Sequence, residues 1–225
     1  MIRLIYIANI RLPTEKAHGL QITQNCEAFA DAGADVALWT ANRVNTAAMN
    51  AVDDVYAHYG VQRNFAIRAL PTIDLLPLVP DRTDAVARVI FYLQLLTFTL
   101  SAVFALLRTR ADIVYSRTPL VLLTASAVIP RRKLVYEVHQ RAVGRGGKLL
   151  QRLVIARCGT VVTITPRLRD DLVADAGRQY ATRFIVAHDG VQRARFAELP
   201  TQTEARQWLG WDEGAFVVGY VGRLH

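Results

Sequence analysis

Residues 111–140 read ADIVYSRTPLVLLTASAVIPRRKLVYEVHQ, and this stretch decides the fold. Residues 111–117 and 133–139 are short, mostly apolar runs of the kind that form buried strands. The segment PLVLLTASAV between them predicts a short helix. A strand, a helix and a second strand in this order indicate two parallel strands joined by a crossover helix.

The same alternation extends over most of the chain. The other predicted strands are residues 2–8, 35–41, 65–71, 160–165 and 183–190. Helical patterns separate them, and the longest covers residues 84–108. The sequence therefore predicts an α/β fold with a doubly wound, Rossmann-like parallel sheet. Ligands of such sheets bind at the carboxyl ends of the strands. One rim is therefore expected to contain the loops after Ala8, Arg117, His139, Thr165 and Asp189.

Composition narrows the choice of partners. The chain has 225 residues, of which 52% are hydrophobic, and a net charge of +8. Such a charge favours nucleic acid, phosphorylated small molecules or an acidic membrane surface. The basic residues do not alternate with aromatic residues as in an RNA-binding sheet, so no nucleic-acid partner is expected. Cys26 and Cys158 belong to no CxxC pattern, which indicates a reducing, cytoplasmic location.

One apolar stretch leaves the membrane question open. Residues 89–107 carry no charge, and Arg88 and Arg108 flank them. Their length is close to the roughly 20 residues that a membrane span needs. A narrow polar stripe interrupts the apolar pattern at helical spacing, at Gln94, Thr97, Ser101 and Arg108. A buried helix, a helix on the inner face of the membrane and a true span all fit this pattern.

Several common site motifs are missing from the sequence. The loop after the first strand has a single glycine instead of GxGxxG, which weighs against a dinucleotide cofactor. The segment RAVGRGGKL departs from the P-loop pattern at Ala142 and Leu149. The five histidines show no spacing typical of metal ligands. Neither a cofactor nor a metal is therefore expected.

Two positions remain as candidates by their place in the chain. His139 ends a predicted strand, where it is either a structural histidine or a residue that contacts a ligand hydroxyl. His18 and Gly19 open a predicted helix. The free backbone NH groups of that helix start suit a phosphate, although a plain turn fits equally.

Four stretches in order resemble the amino-terminal half of a GT-B glycosyltransferase of the retaining family 4 type. The first is PTEKAHGLQITQNCEAFADAGADVALWT. The second combines DIVYSRTP with LVYEVHQ, and the third combines VVTITPRLRDDL with IVAHDGVQRARF. The fourth is EARQWLGWDEGAFVVGYVGRLH. Each motif is loose by itself, and their order over nearly the whole chain is the specific signal.

The resemblance implies a division of the chain. Residues 1–198 would form the acceptor-side domain, and residues 199–225 a linker and the first strand of a donor-binding domain. Residues 216–221 are that expected strand. The lysine and the Glu-x7-Glu motif that complete the family's donor site would lie beyond His225. We therefore expect a fragment that is inactive in isolation.

The resemblance also implies residue roles. His139 would be the catalytic residue near the transferred sugar. The rim of the acceptor and reaction centre would be formed by His18, Gly19 and Arg117. Donor contacts would come from Gly19, Asp189, Gly190, Gly222 and Arg223.

The implied reaction transfers a sugar from a nucleotide diphosphate sugar to an acceptor hydroxyl with retained configuration, without a metal. A saccharide or a lipid-linked acceptor is expected, in the synthesis of a cell-surface or lipid-linked glycan. The alternative is a non-catalytic α/β module, or one half of a split transferase that needs a partner chain.

Overall fold

The structure is a computed structural model that describes residues 1–79, 85–191 and 196–220. The chain divides into two compact units, Met1–Asp189 and Gly190–His225. The domain boundary after residue 198 that the resemblance implies stays a prediction.

The first unit is built on one seven-stranded sheet in which every strand pair is parallel. Its strands are β1 Arg3–Ala8, β2 Asp35–Ala41, β3 Ala66–Leu70, β4 Ile113–Ser116, β5 Leu134–Val138, β6 Thr160–Thr163 and β7 Phe184–Val186. The spatial order is β3-β2-β1-β4-β5-β6-β7. The predicted α/β fold with a doubly wound parallel sheet is confirmed.

Helices connect the strands. They are α1 Ala17–Asp31, α2 Ala47–Asn50, α3 Val55–Tyr59, α4 Ala85–Leu107, α5 Pro119–Ala125, α6 Gly144–Arg157 and α7 Pro166–Ala176. Short 3₁₀ helices cover Leu76–Leu78, Arg131–Lys133 and Arg178–Arg183. Local sequence signals determine where α7 begins. The Thr165 side chain caps the helix by accepting a hydrogen bond from the Leu168 amide, and Pro166 occupies the first turn.

The core lies in two layers, one on each face of the sheet. Helices α4 to α7 contribute to one buried cluster, which contains Phe98, Val121, Ile155 and Leu172. Helices α1 and α3 contribute to the other, which contains Cys26 and Tyr59. The chain therefore changes face and direction at β1, whose neighbours are β2 and β4. The carboxyl ends of β1 and β4 form the switch point where sheets of this kind bind ligands.

Helix α4 is held to the sheet by its polar stripe as well as by its buried face. The Ser101 hydroxyl donates to the Pro71 carbonyl at 2.7 Å, and the Ile73 amide donates to the Thr97 hydroxyl at 3.2 Å. Gln94 is buried and exchanges two side-chain hydrogen bonds with Asn9. These contacts explain Gln94, Thr97 and Ser101 of the stripe as packing against the loops after β3 and β1, whereas Arg108 is exposed.

The opposite side of α4 is apolar and exposed. We call it the apolar face of α4, and its residues are Val89, Tyr92, Leu93, Leu96, Leu100, Phe104 and Leu107. By length and composition α4 could cross a membrane, although a third of its most apolar window, 33%, is buried in the protein. The helix thus combines a packed face with an apolar face that the described residues leave uncovered.

The second unit contains one described helix, α8 Gln202–Leu209. Thr201 and Glu204 form a capping box at its start, and Gly210 ends it with a φ of 65°. The strand predicted for residues 216–221 is wrong for the part that the structure describes. Residues 216–220 have no strand structure, and Phe216 is 94% exposed. An apolar run becomes a strand only beside a partner strand, and residues 196–220 provide none.

Candidate functional site

A cavity of about 600 Å³ opens at the carboxyl ends of β1, β4 and β5. We call it the main cavity. The polar residues that matter below are Asn9, His18, Gln21, Arg117, Glu137 and His139, and all of them line it. Its volume is in the range typical of small-molecule sites. The cavity lies on the rim that the strand order predicts, at the topological switch point.

Glu137 is at the centre of the polar wall of this cavity. Its side chain is only 4% exposed. Arg117 donates to both carboxylate oxygens, from Nε and Nη2, at 2.8 Å each. The Tyr6 hydroxyl donates at 2.7 Å, and His139 Nε2 lies 2.8 Å from Oε1. The sequence alone did not identify Glu137, but its position as a charged residue in the apolar strand LVYEV was the available signal.

The protonation state of Glu137 determines which ring nitrogen of His139 donates a hydrogen bond to it. Burial alone would raise the pKa of Glu137, but hydrogen bonds from His139 and Arg117 outweigh it and lower the pKa to about 2. The carboxylate is therefore ionised at neutral pH and only accepts hydrogen bonds. Nε2 of His139 therefore donates to this carboxylate, and in the tautomer with its hydrogen on Nε2 the acceptor nitrogen is Nδ1.

Two further side chains extend the hydrogen bonds around this pair. Arg117 Nη1 donates to Gln21 Oε1 at 3.0 Å, and Gln21 Nε2 donates to Asp189 Oδ1. Asp189 Oδ2 lies 4.0 Å from His139 Nδ1. We call these five residues and Tyr6 the Glu137 network. It orients Arg117 and His139 before any ligand binds.

The network also contains a possible set of metal ligands. One ligand atom each from Glu137, His139 and Asp189 lies within 4.8 Å of the others. Both oxygens of Glu137 already accept hydrogen bonds, and the Arg117 guanidinium lies against them. That positive charge opposes a divalent cation. The geometry is better explained as a hydrogen-bonded network, and a site without metal stays a prediction.

His18 lies at the start of α1 and lines the main cavity. Burial, together with the positive charges of Lys16 and Arg117, lowers its pKa below the ordinary value. His18 is therefore neutral at pH 7 and can donate or accept a hydrogen bond from a ligand. The structure thus brings His18, Arg117 and His139 to one cavity, and the roles that the resemblance implies for them stay predictions.

Gly19 lies in a tightly packed part of the fold. It is buried and is not among the residues that line the main cavity. A Cβ at this position would lie 2.5 Å from both Thr14 Cγ2 and the Tyr59 hydroxyl oxygen. The structure therefore explains this glycine by close packing, while its contact with a donor stays a prediction.

Gly19→Ala is expected to destabilise the protein by about 1–3 kcal/mol, because the added methyl group overpacks this contact. Gly146→Ala is the matched control, since Gly146 lies within α6 and its Cβ would meet nothing within 4 Å. That control should be neutral or slightly stabilising. Urea unfolding of both variants measures the difference. Equal stability of the two variants would contradict the packing explanation.

The remaining predicted donor residues are less constrained. Asp189 is exposed and belongs to the Glu137 network. Gly190 is exposed and begins the second unit. Gly222 and Arg223 lie outside the described residues. Donor binding by these four residues stays a prediction.

Solved proteins of very different sequence share this fold. A glycosyltransferase from Rickettsia africae ESF-5 has a TM-score of 0.57 at 10% identity, over 95% of this chain and 50% of that one. Sucrose-phosphate synthase from Thermosynechococcus elongatus has a TM-score of 0.53 at 12% identity, over 92% and 99%. UDP-N-acetylglucosamine 2-epimerase from Rickettsia bellii has a TM-score of 0.52 at 13% identity, over 94% and 52%.

These similarities establish the fold and not the activity. The chain has the Rossmann-like α/β fold that occurs in GT-B glycosyltransferases, as predicted. It spans about half the length of the two Rickettsia proteins, 50% and 52%. No protein-family model and no curated protein sequence matches it.

Proposed function

We propose that the chain forms the acceptor side of a retaining glycosyltransferase site of the family 4 type. A sugar would pass from a nucleotide diphosphate sugar to a hydroxyl of a saccharide or lipid-linked acceptor in the main cavity. The observation that carries this proposal is the Glu137 network, which presents Arg117 and His139 at the switch point of a fold that a glycosyltransferase shares. The +8 net charge of the chain supports an anionic substrate.

The chemistry needs stabilisation of negative charge. The bond between the sugar C1 and the diphosphate breaks, a bond from C1 to the acceptor oxygen forms, and the acceptor proton leaves with the diphosphate. Arg117 uses Nε, one Nη1 hydrogen and one Nη2 hydrogen for Glu137 and Gln21. Its two other hydrogens have no described partner and would stabilise the leaving diphosphate.

His139 would act through Nδ1, which the Glu137 network leaves as an acceptor. Its partner would be a hydroxyl of the transferred sugar. Donor contacts would come from Asp189 on the same network, and from Gly19, Gly190, Gly222 and Arg223. These assignments rest on the resemblance.

Saccharide binding to this chain tests the proposal. Saturation-transfer nuclear magnetic resonance with a panel of neutral and acidic saccharides is expected to show binding. Ala17→Trp should abolish it, because Ala17 lines the main cavity at the exposed start of α1. Ala47→Trp is the control, since Ala47 is an equally exposed first residue of α2. No binding by wild type, or unchanged binding by Ala17→Trp, would contradict the proposal.

Epimerisation of a nucleotide sugar is the second candidate, because the Rickettsia bellii epimerase has a comparable fold at a TM-score of 0.52. The two functions differ in their need for an acceptor. A transferase consumes the nucleotide sugar in proportion to acceptor, whereas an epimerase converts it without one. A non-catalytic module would do neither.

The apolar face of α4 supports contact with the inner face of an anionic membrane. Exposed Arg88 and Arg108 stand at the two ends of this face. The guanidinium of Arg108 lies 3.4 Å from the centre of the Phe104 ring. Apolar side chains bordered by arginines are typical of helices that lie in a lipid headgroup layer. Such a location would bring a lipid-linked acceptor to the site.

Replacement of both Leu96 and Leu100 by serine is expected to weaken vesicle binding at least about tenfold, because two exposed leucines lose their contact with lipid. Sedimentation with vesicles that contain phosphatidylglycerol measures the change. Leu209→Ser, on the exposed surface of α8, is the control. Equal binding of the double variant and wild type would rule out this face as the membrane contact.

A further inference from the structure

A second, smaller cleft adjoins the main cavity. Its volume is about 210 Å³, and it lies between the loop after β1, the start of α1 and the segment around residue 74. We call it the Asp74 cleft. Its charged residues are Arg11, Lys16, Arg43 and Asp74. Asn9, Ile10 and His18 line both spaces, so a ligand in one can extend into the other.

Asp74 lines this cleft and has one carboxylate oxygen without a hydrogen-bond partner among the described residues. Its side chain is only 4% exposed. Oδ2 accepts hydrogen bonds from Arg43 Nε at 3.3 Å and from the Val44 amide at 3.1 Å. Oδ1 is buried and has no hydrogen-bond donor among the described residues. A buried carboxylate oxygen without a donor is costly, so a ligand group that donates to Oδ1 would be favoured here.

The cleft also carries positive charge in excess of its own carboxylate. Arg43 pairs with Asp74, and Arg11 pairs with Glu15 at 2.6 Å. Lys16 is exposed and forms no salt bridge with a described carboxylate. The pKa of His18 reflects the same field, since it is lowered by burial and then by the charge of Lys16. An anionic group is therefore favoured next to Lys16.

The two requirements together define the ligand. A neutral sugar supplies a hydroxyl to Asp74 but leaves Lys16 unpaired. A small anion such as inorganic phosphate pairs with Lys16 but carries no sugar hydroxyl for Asp74. We propose that the Asp74 cleft binds an acidic sugar unit, with a hydroxyl that donates to Asp74 Oδ1 and a carboxylate or phosphate beside Lys16.

The proposal deepens the proposed function and rests on it. The acidic unit would be the neighbour of the acceptor unit in the main cavity, since the two spaces share a wall. The acceptor would then belong to the class of acidic saccharides. A uronic acid and a sugar phosphate supply the same chemistry, and the choice of probes separates them.

The test titrates the ¹⁵N-labelled chain with glucuronate, glucose 6-phosphate, glucose and inorganic phosphate, followed by nuclear magnetic resonance. Glucuronate or glucose 6-phosphate is expected to bind about tenfold tighter than glucose or phosphate, because only these two probes combine an acidic group for Lys16 with sugar hydroxyls for Asp74. The probe that binds tighter identifies the carboxylate or the phosphate as the acidic group. Phosphate that binds as tightly as glucose 6-phosphate would overturn the proposal.

Variants separate the two contacts. Lys16→Ala should weaken the binding of the acidic sugars about tenfold and leave the binding of glucose unchanged. Lys148→Ala, an exposed lysine on α6, is the control and should change neither. Asp74→Asn should weaken the binding of the sugars but not that of inorganic phosphate. Thermal unfolding checks that this variant is folded.

Failure of the cleft and failure of the proposed function give different results. The cleft proposal would be overturned if acidic sugars bind no tighter than glucose, or if Lys16→Ala leaves their affinity unchanged. Saccharide binding that Ala17→Trp abolishes would then still support the main cavity. If the wild-type chain binds none of the saccharides, both the cleft proposal and the proposed function are overturned.

Discussion

Replacement of Glu137 by alanine is expected to lower the free energy of unfolding by about 3–5 kcal/mol, because it leaves a partly buried arginine without its counter-ion. The Arg117 side chain is 16% exposed and makes two of its three described hydrogen bonds to Glu137. The Tyr6 hydroxyl and His139 Nε2 lose their partner as well. Urea unfolding followed by circular dichroism measures the loss.

Two comparisons make this result specific to the network. Glu213→Ala changes an exposed glutamate and is expected to cost less than about 0.5 kcal/mol. Arg117→Met should lower the stability of the Glu137→Ala variant only a little further. The coupling free energy between the two residues is expected to exceed about 1 kcal/mol, because they act as one unit. A Glu137→Ala variant as stable as Glu213→Ala would show that the network does not support the fold.

The free energy of unfolding should also depend on pH through Glu137. The folded pKa of Glu137 is about 2, below its ordinary value of 4.5. The folded state therefore binds this proton less readily than the unfolded state. The stabilisation of about 3 kcal/mol is present above about pH 4.5 and is lost as the pH falls towards 2. Unfolding measured from pH 7 to pH 2 should show a shallower decline for Glu137→Gln.

His139→Ala is expected to lower kcat/KM for sugar transfer by about 10- to 100-fold, because a ligand hydroxyl loses its hydrogen bond to a positioned imidazole. Activity is measured on the protein encoded by the reading frame that contains this chain. His58→Ala, on the exposed surface of α3, is the matched control and should be fully active.

Two conservative variants separate the roles of the two ring nitrogens of His139. Gln places its amide near the position of Nε2 and can donate to Glu137. It offers nothing at Nδ1, so His139→Gln should keep the stability and lose the rate. His139→Asn places a polar atom near Nδ1 and should retain more rate than His139→Gln. Full activity of both His139→Ala and His139→Gln would remove His139 from the reaction.

The sequence predicted the sheet and the rim because both depend on local patterns. Strand β2 has the predicted bounds, residues 35–41, and Arg117 and His139 lie just beyond the strands that position them. Apolar runs that alternate with helical patterns leave few topologies, and the parallel sheet brings their ends together.

The details of the site depend on contacts between distant residues. Gln21 and Asp189 are 168 residues apart, and Arg43 meets Asp74 across 31. No spacing rule could have paired them, so the Glu137 network and the Asp74 cleft were not predicted. Helix α4 is apolar on most of its circumference, so its periodicity did not reveal which side faces the sheet.

The strand predicted at residues 216–221 is wrong for residues 216–220, and the cause is related. Residues 216–220 have strand composition, but a strand forms only where a neighbour accepts and donates its backbone hydrogen bonds. Composition reports the preference of a segment and not the presence of its partner.

The most direct test of the central claim is sugar transfer by the protein encoded by the reading frame that contains this chain. It would be incubated with labelled UDP- and GDP-sugars and with neutral and acidic saccharide acceptors or a membrane-lipid extract. We predict a labelled glycan that forms only with acceptor, at a rate that His139→Ala lowers about 10- to 100-fold. A folded protein that transfers sugar to none of these acceptors, or that converts a nucleotide sugar without any acceptor, would contradict the account.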